Sequence, residues 1–257
     1  MGLAYDRQWM LVDEAGIFLS QRTTPKMGLI AVTLDDKNGH IVVKAPGMPA
    51  LQIAPEQTNG QCSVTIWKDQ LKAEVAESHI NEWFSQFMDS PCRLVRYGKK
   101  SQRLIDPDFS NGTDEVAFAD AFPLLITHES TLEHLNIQLA EENHPEVSMQ
   151  RFRPNIVVKS SAGISKLPAQ DEFTWSSLFN DKVNIDLVKP CSRCVMTNLD
   201  PKTAEKTGNT VLKTLSQKHN LNKKATFGIN GTSDRSLKIS VGDQLNIRYQ
   251  KPTENQL

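Results

Sequence analysis

The chain of 257 residues has a mass of 28.8 kDa, 39% hydrophobic and 23% charged residues, and a formal net charge of −1. This balance excludes collagen-like, coiled-coil and fully disordered proteins. Four cysteines are too few for a disulfide-rich secreted scaffold, and no apolar run approaches the roughly 20 residues of a membrane helix. Because the N-terminus also lacks the basic start and apolar core of a signal peptide, we expect a cytoplasmic protein that does not bind membranes.

In the N-terminal part of the chain, segments rich in β-branched and aromatic residues alternate with turns. They predict strands over residues 8–12, 29–34, 40–44 and 63–67. The turn sequence Asp-Lys-Asn-Gly at residues 36–39 is typical of a hairpin. Residues 71–88 carry apolar side chains at roughly helical spacing and predict an amphipathic helix. Pro91 ends this helix, and residues 92–97 predict another strand.

A polar segment at residues 98–113, with an Asn-Gly turn near its end, is the best candidate for a loop between domains. We therefore predict a first domain over residues 1–105 and a second over residues 106–257.

In the second domain, Thr127 or His128 is expected to cap a helix over residues 130–141, and Gly208 to delay a helix within residues 203–217. Further strands are predicted at residues 156–159, 173–175, 183–188, 237–241 and 244–250. The whole chain is predicted to be a mainly β, α+β protein with barrel-like sheets and a few packed helices.

Basic residues are concentrated in the last third of the chain. Residues 182–257 carry 13 Lys and Arg against 6 Asp and Glu. This region could bind an anionic ligand or an acidic partner, and a solvated lysine-rich face explains the charge equally well. Nucleic acid is not an expected partner, because the pI is near 6.6 and no aromatic residues alternate with the lysines.

The strongest local signal is the segment Lys-Pro-Cys-Ser-Arg-Cys at residues 189–194. A structural zinc site lacks a second cysteine pair, and a redox dithiol is disfavoured because the next residues favour an extended segment or loop rather than a helix. A single thiolate ligand for a soft or high-valent metal fits better, since Lys189 and Arg193 make the site electropositive. Two inert cysteines, Cys191 and Cys194, are the remaining interpretation.

Two further segments carry arginines. In Arg-Phe-Arg-Pro-Asn at residues 151–155, Arg151 and Arg153 would project to one face of an extended segment and bind a phosphate. Ordinary surface charge is the alternative. Asp6 and Arg7 are expected to form a local ion pair. The sequence has no nucleophile elbow, Walker lysine loop, GxGxxG or HExxH motif, and no two histidines have metal-ligand spacing.

Taken in order, these segments resemble the MOSC-domain family, in the branch that includes the bacterial YcbX proteins and the mitochondrial amidoxime-reducing components of animals. The resemblance covers nearly the whole chain. It rests on GLAYDRQWMLVD, FADAFPLLITHESTLEHLN, RFRPNIVV, KPCSRCVMTNLDP and FGIN followed by LKISVGDQLNI. It implies a MOSC N-terminal β-barrel domain followed by a MOSC domain that is also built around a β-barrel.

The resemblance also implies a molybdenum cofactor, whose metal is held by a pterin dithiolene and one protein cysteine. By motif position that cysteine, which is both the metal ligand and the catalytic residue, is Cys194, and Cys191 is a neighbour. The residues that match the family's contacts to the pterin or its phosphate are Arg7, Asp120, Ala121, Phe122, Arg153, Asn155, Ser192 and Arg193.

The implied activity is the reduction of N-hydroxylated compounds such as hydroxylamino bases and amidoximes. Electrons would come from an external donor such as a flavin reductase. An alternative is a carrier of molybdenum cofactor or sulfur without reductase turnover, and another is a paralogue that binds nothing. No iron–sulfur cluster is expected, because the cysteines for one are missing, and pyridoxal phosphate is not an expected cofactor. Relatives have a preceding strand with a Pro-Val-Lys-Ser-like motif that also reaches the cofactor, and the sequence begins after the position of this motif. Either the start of the protein lies further upstream, or the chain is truncated, or the protein lacks those contacts.

Overall fold

A computed structural model describes residues 2–35, 37–110, 114–163, 165–233 and 238–250. Within this part of the chain, the strands form three sheets. The N-terminal elements are β1 (Trp9–Val12), β2 (Ala31–Asp35), β3 (His40–Lys44), β4 (Leu51–Ile53), β5 (Thr58–Ile66), β6 (Asp69–Ala76), α1 (Ser78–Met88) and β7 (Arg93–Arg96). They build a four-stranded sheet in the order β1-β7-β6-β5 and a three-stranded sheet in the order β2-β3-β4.

The helix α1 closes the core of the N-terminal domain. Its buried face of Ile80, Trp83, Phe84 and Phe87 packs with residues from both sheets, including Leu94 of β7. Burial of these large side chains removes most of their apolar surface from water and holds the sheets together.

The prediction of one helix over residues 71–88 was wrong in its first half. Residues 69–76 form β6, and the helix begins only at Ser78. Leu71 and Ala73 are buried while Gln70 and Lys72 are exposed, so the inward positions alternate with a period of two. Pairing with β5 makes this segment a strand. A two-residue turn joins the two strands, and Ile66 of β5 lies opposite Asp69 of β6. The predicted hairpin between β2 and β3 is confirmed, with Asp35 opposite His40.

The second domain contains one large sheet. Its elements are β8 (Leu124–His128), α2 (Glu129–Glu141), β9 (Ile156–Val158), β10 (Trp175–Phe179), β11 (Asn184–Ser192), α3 (Thr210–Lys218), β12 (Asn220–Leu221), β13 (Lys224–Ser233) and β14 (Asn246–Tyr249). The strand order is β14-β10-β11-β13-β8-β9, with β12 paired to β13. Among the described strand pairs of this sheet, only β8 and β9 run parallel.

The helices α2 and α3 share a core with the sheet. Leu135, Leu139 and Leu215 are fully buried there, and the rings of Phe152 and Phe227 stack with centroids 3.7 Å apart. This cluster anchors the Arg-Phe-Arg segment, because Phe152 lies between two of the arginines that the sequence singles out. The helix α3 begins after Gly208, as predicted. None of the described helices is long and apolar enough to span a membrane.

Other expectations need correction. Residues 171–174 form a 3-10 helix rather than a strand, and β10 begins at Trp175. No strand occurs at 238–241, while Leu237 and the Asn-Gly turn at 111–112 lie outside the described residues. Residues 98–110 form a loop with one short 3-10 helix, and this loop is anchored to the protein because Arg103 and Ile105 are buried. The mainly β, α+β class is confirmed.

Candidate functional site

Arg153 stands at the centre of a cluster of charged side chains. It follows a 3-10 helix (Met149–Phe152) and has a left-handed backbone with φ of 55°. The residue remains exposed to solvent, yet desolvation by the surrounding protein lowers its pKa, and the positive charge of Arg7 lowers the pKa further. Arg153 is thus open to solvent but closely surrounded by protein, and it lines a cavity in the surface.

Charges from several segments converge on this position. Asp120 and Asp6 oppose the decrease in the pKa of Arg153, while Arg193 adds to it. Arg7 and Arg193 therefore both act on Arg153, from positions 146 and 40 residues away along the chain. The Arg153 guanidinium donates no hydrogen bond to any residue in the described part of the chain. Such a cluster of cations carries a free-energy cost that an anion would offset.

Arg7 is held by the N-terminal segment and by the second domain. Its backbone is left-handed, with φ of 48°. One guanidinium nitrogen contacts the carboxylate of Asp6, which confirms the predicted local ion pair. Another donates to the carbonyl oxygen of Arg153 at 3.3 Å. Since the same Asp6 oxygen accepts a 2.8 Å hydrogen bond from the side-chain amide of Asn155, the ion pair is tied to the second domain.

Asn155 is fixed to the large sheet on its other side. Its Oδ1 atom accepts from the backbone amide of Leu125 at 2.9 Å, and its backbone amide donates to the carbonyl of Leu125 at 2.9 Å. The asparagine thus links the end of the Arg-Phe-Arg-Pro-Asn segment to β8 and leaves its amide group free to reach Asp6.

Arg193 bridges the cysteine segment and the aromatic core. Its Nη2 atom donates to the carbonyl of Phe152 at 2.8 Å, and its guanidinium carbon lies 5.5 Å from the centre of the Phe152 ring. Its Nη1 atom donates to Sγ of Cys191 at 3.1 Å. The buried Nε atom has no hydrogen-bond partner among the described residues. Cys191 is therefore a structural neighbour of the arginine cluster.

Cys194 presents a free, partly exposed thiol directly after Arg193. The backbone enters a short 3-10 helix (Val195–Asn198) at this residue, where the sequence predicted an extended segment or loop. The carbonyl of Cys194 accepts from the backbone amide of Thr197 at 3.1 Å and from its hydroxyl at 3.0 Å. These two bonds fix the backbone from which the thiol projects.

The remaining predicted residues divide into two groups. Ser192 is exposed at the end of β11, one residue before Arg193. Asp120 and Ala121 are also exposed, and the Asp120 carboxylate acts on Arg153. The side chain of Phe122 instead packs in a small core, edge-on to Phe109 at 5.8 Å between ring centroids. Phe122 can contribute to the site only through its backbone.

The expectation that Arg151 and Arg153 share one face of an extended segment was wrong. Residues 149–152 form a 3-10 helix, and the left-handed backbone of Arg153 turns the chain sharply. Arg151 is buried and donates to the carbonyl of Leu199 at 2.9 Å and to the carboxylate of Asp200 at 3.1 Å. Of these two arginines, only Arg153 belongs to the cluster with Arg7 and Arg193.

The sequence patterns did not identify Arg103, a buried residue of the segment between the domains. It donates to the carboxylate of Asp69 at 2.7 Å and to the carbonyls of Ala117 at 3.0 Å and Asp120 at 2.8 Å. A second anchor is the backbone amide of Phe118, which donates to the carbonyl of Arg7 at 3.0 Å. No pattern in the sequence marks these contacts, because each joins segments that are distant along the chain.

Within the described residues, no group of three or more His, Cys, Asp or Glu side chains could hold a metal ion. A metal with Cys194 as its single protein ligand would need a non-protein group to supply its other ligands. The surroundings suit such a group if it is anionic, because Arg7, Arg153 and Arg193 supply positive charge and unused donors.

The sequence of this mainly β protein matches two family models. Residues 1–91 match the MOSC N-terminal beta barrel domain, and residues 113–246 match the MOSC domain. The chain belongs to the MOSC-domain family.

Several curated proteins are similar to this chain. Mitochondrial amidoxime reducing component 2 of Rattus norvegicus is 30% identical over 210 residues, which are 79% of this chain and 59% of that protein. Mitochondrial amidoxime-reducing component 1 of Danio rerio is 31% identical over 215 residues, 79% of this chain and 62% of that protein. Molybdenum cofactor sulfurase of Homo sapiens is 27% identical over 223 residues, 80% of this chain and 24% of that protein.

The chain thus spans about three fifths of the two amidoxime-reducing components and about a quarter of the sulfurase. Among solved structures, a solution structure of a Bordetella bronchiseptica protein covers 36% of this chain and 73% of its own, with 24% sequence identity and a TM-score of 0.32.

Proposed function

We propose that this chain binds a molybdenum cofactor and, with electrons from an external donor, reduces N-hydroxylated compounds such as amidoximes and hydroxylamino bases. Two relatives are named amidoxime-reducing components. The observation that carries the proposal is the convergence of Arg7 and Arg193 on Arg153, with the free thiol of Cys194 directly after Arg193 in the chain.

The residues fit a cofactor of this kind. A pterin phosphate needs guanidinium donors, and the structure has an exposed Arg153 without a hydrogen-bond partner in the described part, together with the unpartnered Nε of Arg193. A metal that also binds a dithiolene favours a soft thiolate, and Cys194 is free and partly exposed. The donors and the thiol come from adjacent residues at the end of β11 and from the turn before β9.

Each residue has a distinct role in the proposal. Cys194 ligates the metal, and Arg153, Arg7 and Arg193 neutralise the anionic part of the cofactor. Asn155 holds Asp6 and so orients Arg7, while Ser192 and the backbone of residues 120–122 line the pterin. When bound, the cofactor supplies two-electron transfer at the metal, and the protein supplies binding, orientation and charge.

Several finer expectations remain predictions within this proposal. The electron donor is a separate protein, such as a flavin reductase, and an acidic one would suit the basic last third of the chain. We place the protein in the cytoplasm and the domain boundary between residues 105 and 106.

The test is the molybdenum content of protein produced in a host that makes the cofactor. We expect about one molybdenum atom per chain in the unmodified protein, none in Cys194→Ala, and an unchanged content in the control Cys62→Ala, whose cysteine lies in β5. Reduction of an aromatic amidoxime with a chemically reduced donor should then depend on Cys194. Absence of the metal from every variant would overturn the proposal.

A second function is supported by the relative named molybdenum cofactor sulfurase. In that case the chain carries the cofactor or its sulfur and does not turn over. The same preparation distinguishes the two functions, because a carrier would hold molybdenum and leave amidoxime and hydroxylamine substrates unreduced.

A further inference from the structure

Arg151 is a buried arginine whose donors are directed at the segment that follows Cys194. Its Nη1 atom donates to the carbonyl of Leu199 at 2.9 Å and lies 3.5 Å from the carbonyl of Thr197. The same nitrogen lies 3.2 Å from the hydroxyl of Thr207, and Nη2 lies 3.1 Å from the carboxylate of Asp200. One guanidinium group therefore contacts four residues between positions 197 and 207.

These contacts continue to Cys194 through one residue. Thr197, whose carbonyl faces Arg151, is fully buried and donates both its amide and its hydroxyl to the carbonyl of Cys194. The path from the guanidinium to the cysteine backbone is thus a chain of hydrogen bonds. The residue at the far end of this chain of hydrogen bonds is Cys194, which carries the thiol.

The carboxylate partner of Arg151 is itself held in its charged form. The backbone amides of Lys202 and Thr203 donate to Oδ1 of Asp200 at 2.8 and 3.3 Å. The first of these bonds is the largest cause of the lowered pKa of Asp200, and Arg151 contributes as well. Arg151 therefore has a fixed anion on one side and backbone carbonyls on the other.

This geometry requires an arginine. The planar guanidinium offers donors in several fixed directions, whereas a lysine ammonium is a single compact charge on a flexible stem. Without Arg151, the carbonyls of Thr197 and Leu199 would lose a donor in the interior, and the segment would open more readily.

We propose that Arg151 is a positioning residue that holds the Cys194 thiol in place by fixing residues 197–200. The importance of that thiol rests on the proposed function, but its position can be tested without the cofactor. The exposed Arg153 then binds the ligand while the buried Arg151 shapes the cysteine loop, so two arginines of one motif have separate roles.

The experiment measures the rate at which iodoacetamide alkylates each cysteine in the cofactor-free protein, resolved by peptide mass spectrometry. In Arg151→Met, we expect alkylation of Cys194 to rise by about tenfold, because loss of a charged hydrogen-bond donor raises the population of the open loop. Cys62, partly buried in β5, reports on reagent reactivity, and the buried Cys92 reports on global opening. Both should keep their rates.

The matched control is Arg93→Met. Arg93 also donates to backbone carbonyls, those of Asp13 at 3.4 Å and Glu14 at 2.9 Å, in the N-terminal domain. This variant should leave the Cys194 rate unchanged. An unchanged Cys194 rate in Arg151→Met, or a rise shared equally by Cys194 and Cys92, would overturn the proposal.

Thr197→Val provides a second variant if Arg151→Met does not fold. It removes the hydroxyl that donates to Cys194 while nearly preserving the side-chain volume, and it should also raise the alkylation of Cys194 selectively. If no variant contains molybdenum, the proposed function fails, yet a selective change in thiol reactivity would still support the role of Arg151.

Discussion

The side-chain amide of Asn155 lies 2.8 Å from the carboxylate of Asp6, although 149 positions separate the two residues. Through this bond the second domain holds the N-terminal segment at the candidate site. The same carboxylate is the ion-pair partner of Arg7, so the position of one cationic group of the cluster depends on a contact between domains.

Replacing this amide by a carboxylate should weaken the contact between the domains. In Asn155→Asp, a negative charge would face Asp6 where a donor now lies, and we expect a loss of about 1–3 kcal/mol in the free energy of unfolding. Denaturant unfolding followed by fluorescence would measure it. Asn220→Asp is the matched control, because the Asn220 amide donates to a backbone carbonyl at an exposed position. Equal stability of the two variants would contradict the role assigned to Asn155.

Removal of Arg153 should abolish anion binding without lowering the stability of the protein. Because Arg7 and Arg193 both disfavour its charge, Arg153→Gln should leave the free protein equally or slightly more stable, by less than about 1 kcal/mol at this exposed position. The same variant should lose the rise in melting temperature that inorganic pyrophosphate is expected to produce in the unmodified protein.

The control for this measurement is Arg22→Gln, since Arg22 lies over the ring of Trp67 in the N-terminal domain. It should retain the response to pyrophosphate. A response that persists in Arg153→Gln would show that the anion binds elsewhere.

Glu172 should make the protein less stable as the pH rises towards neutrality. Burial raises the pKa of this fully buried carboxyl from 4.5 to about 7. Between those values the unfolded chain has released the proton and the folded chain retains it, so stability falls with increasing pH, at most by about 1.4 kcal/mol per unit. Glu172→Gln should remove this slope and be the more stable protein at pH 8, whereas the exposed Glu141→Gln should not. The free energy of unfolding of the three proteins, measured with urea across the pH range, would test this expectation.

Because of His219, the protein should become less stable as the pH falls into the acid range. Burial, with a smaller contribution from His134, lowers its pKa from 6.5 to about 4. As the pH falls through this interval the unfolded chain gains a proton that the folded chain does not, so stability falls towards acid. His219→Asn should flatten this part of the profile, while a change at the exposed His79 should not. An unaltered profile in His219→Asn would refute the assignment.

Local sequence signals predicted the parts of the fold that depend on local chemistry. The Asn-Gly turn predicted the hairpin that joins β2 and β3, and Gly208 predicted the delayed start of α3. Residues 71–76 were misassigned because their apolar spacing fits a helix, whereas pairing with β5 and β7 makes them part of a strand.

The candidate site was predictable only as a set of segments. Charge and thiol chemistry singled out the segments at residues 151–155 and 189–194, and the family resemblance chose Cys194 within the second. The spacing could not show that Arg151 turns inward, because this depends on a 3-10 helix and a left-handed residue. Arg103 carried no signal at all, since its partners lie at positions 69 and 117–120.

The contacts of Arg103 limit how this protein can be divided or recombined. Its guanidinium joins Asp69 in the first domain to the carbonyls of Ala117 and Asp120 in the second, from within the connecting segment itself. A second domain produced alone from residue 106 would lack the side chain that orders residues 117–120. A chimera that exchanges the first domain with that of a relative would need a matching acidic residue in place of Asp69. The connecting segment is therefore the component that an engineer must leave intact.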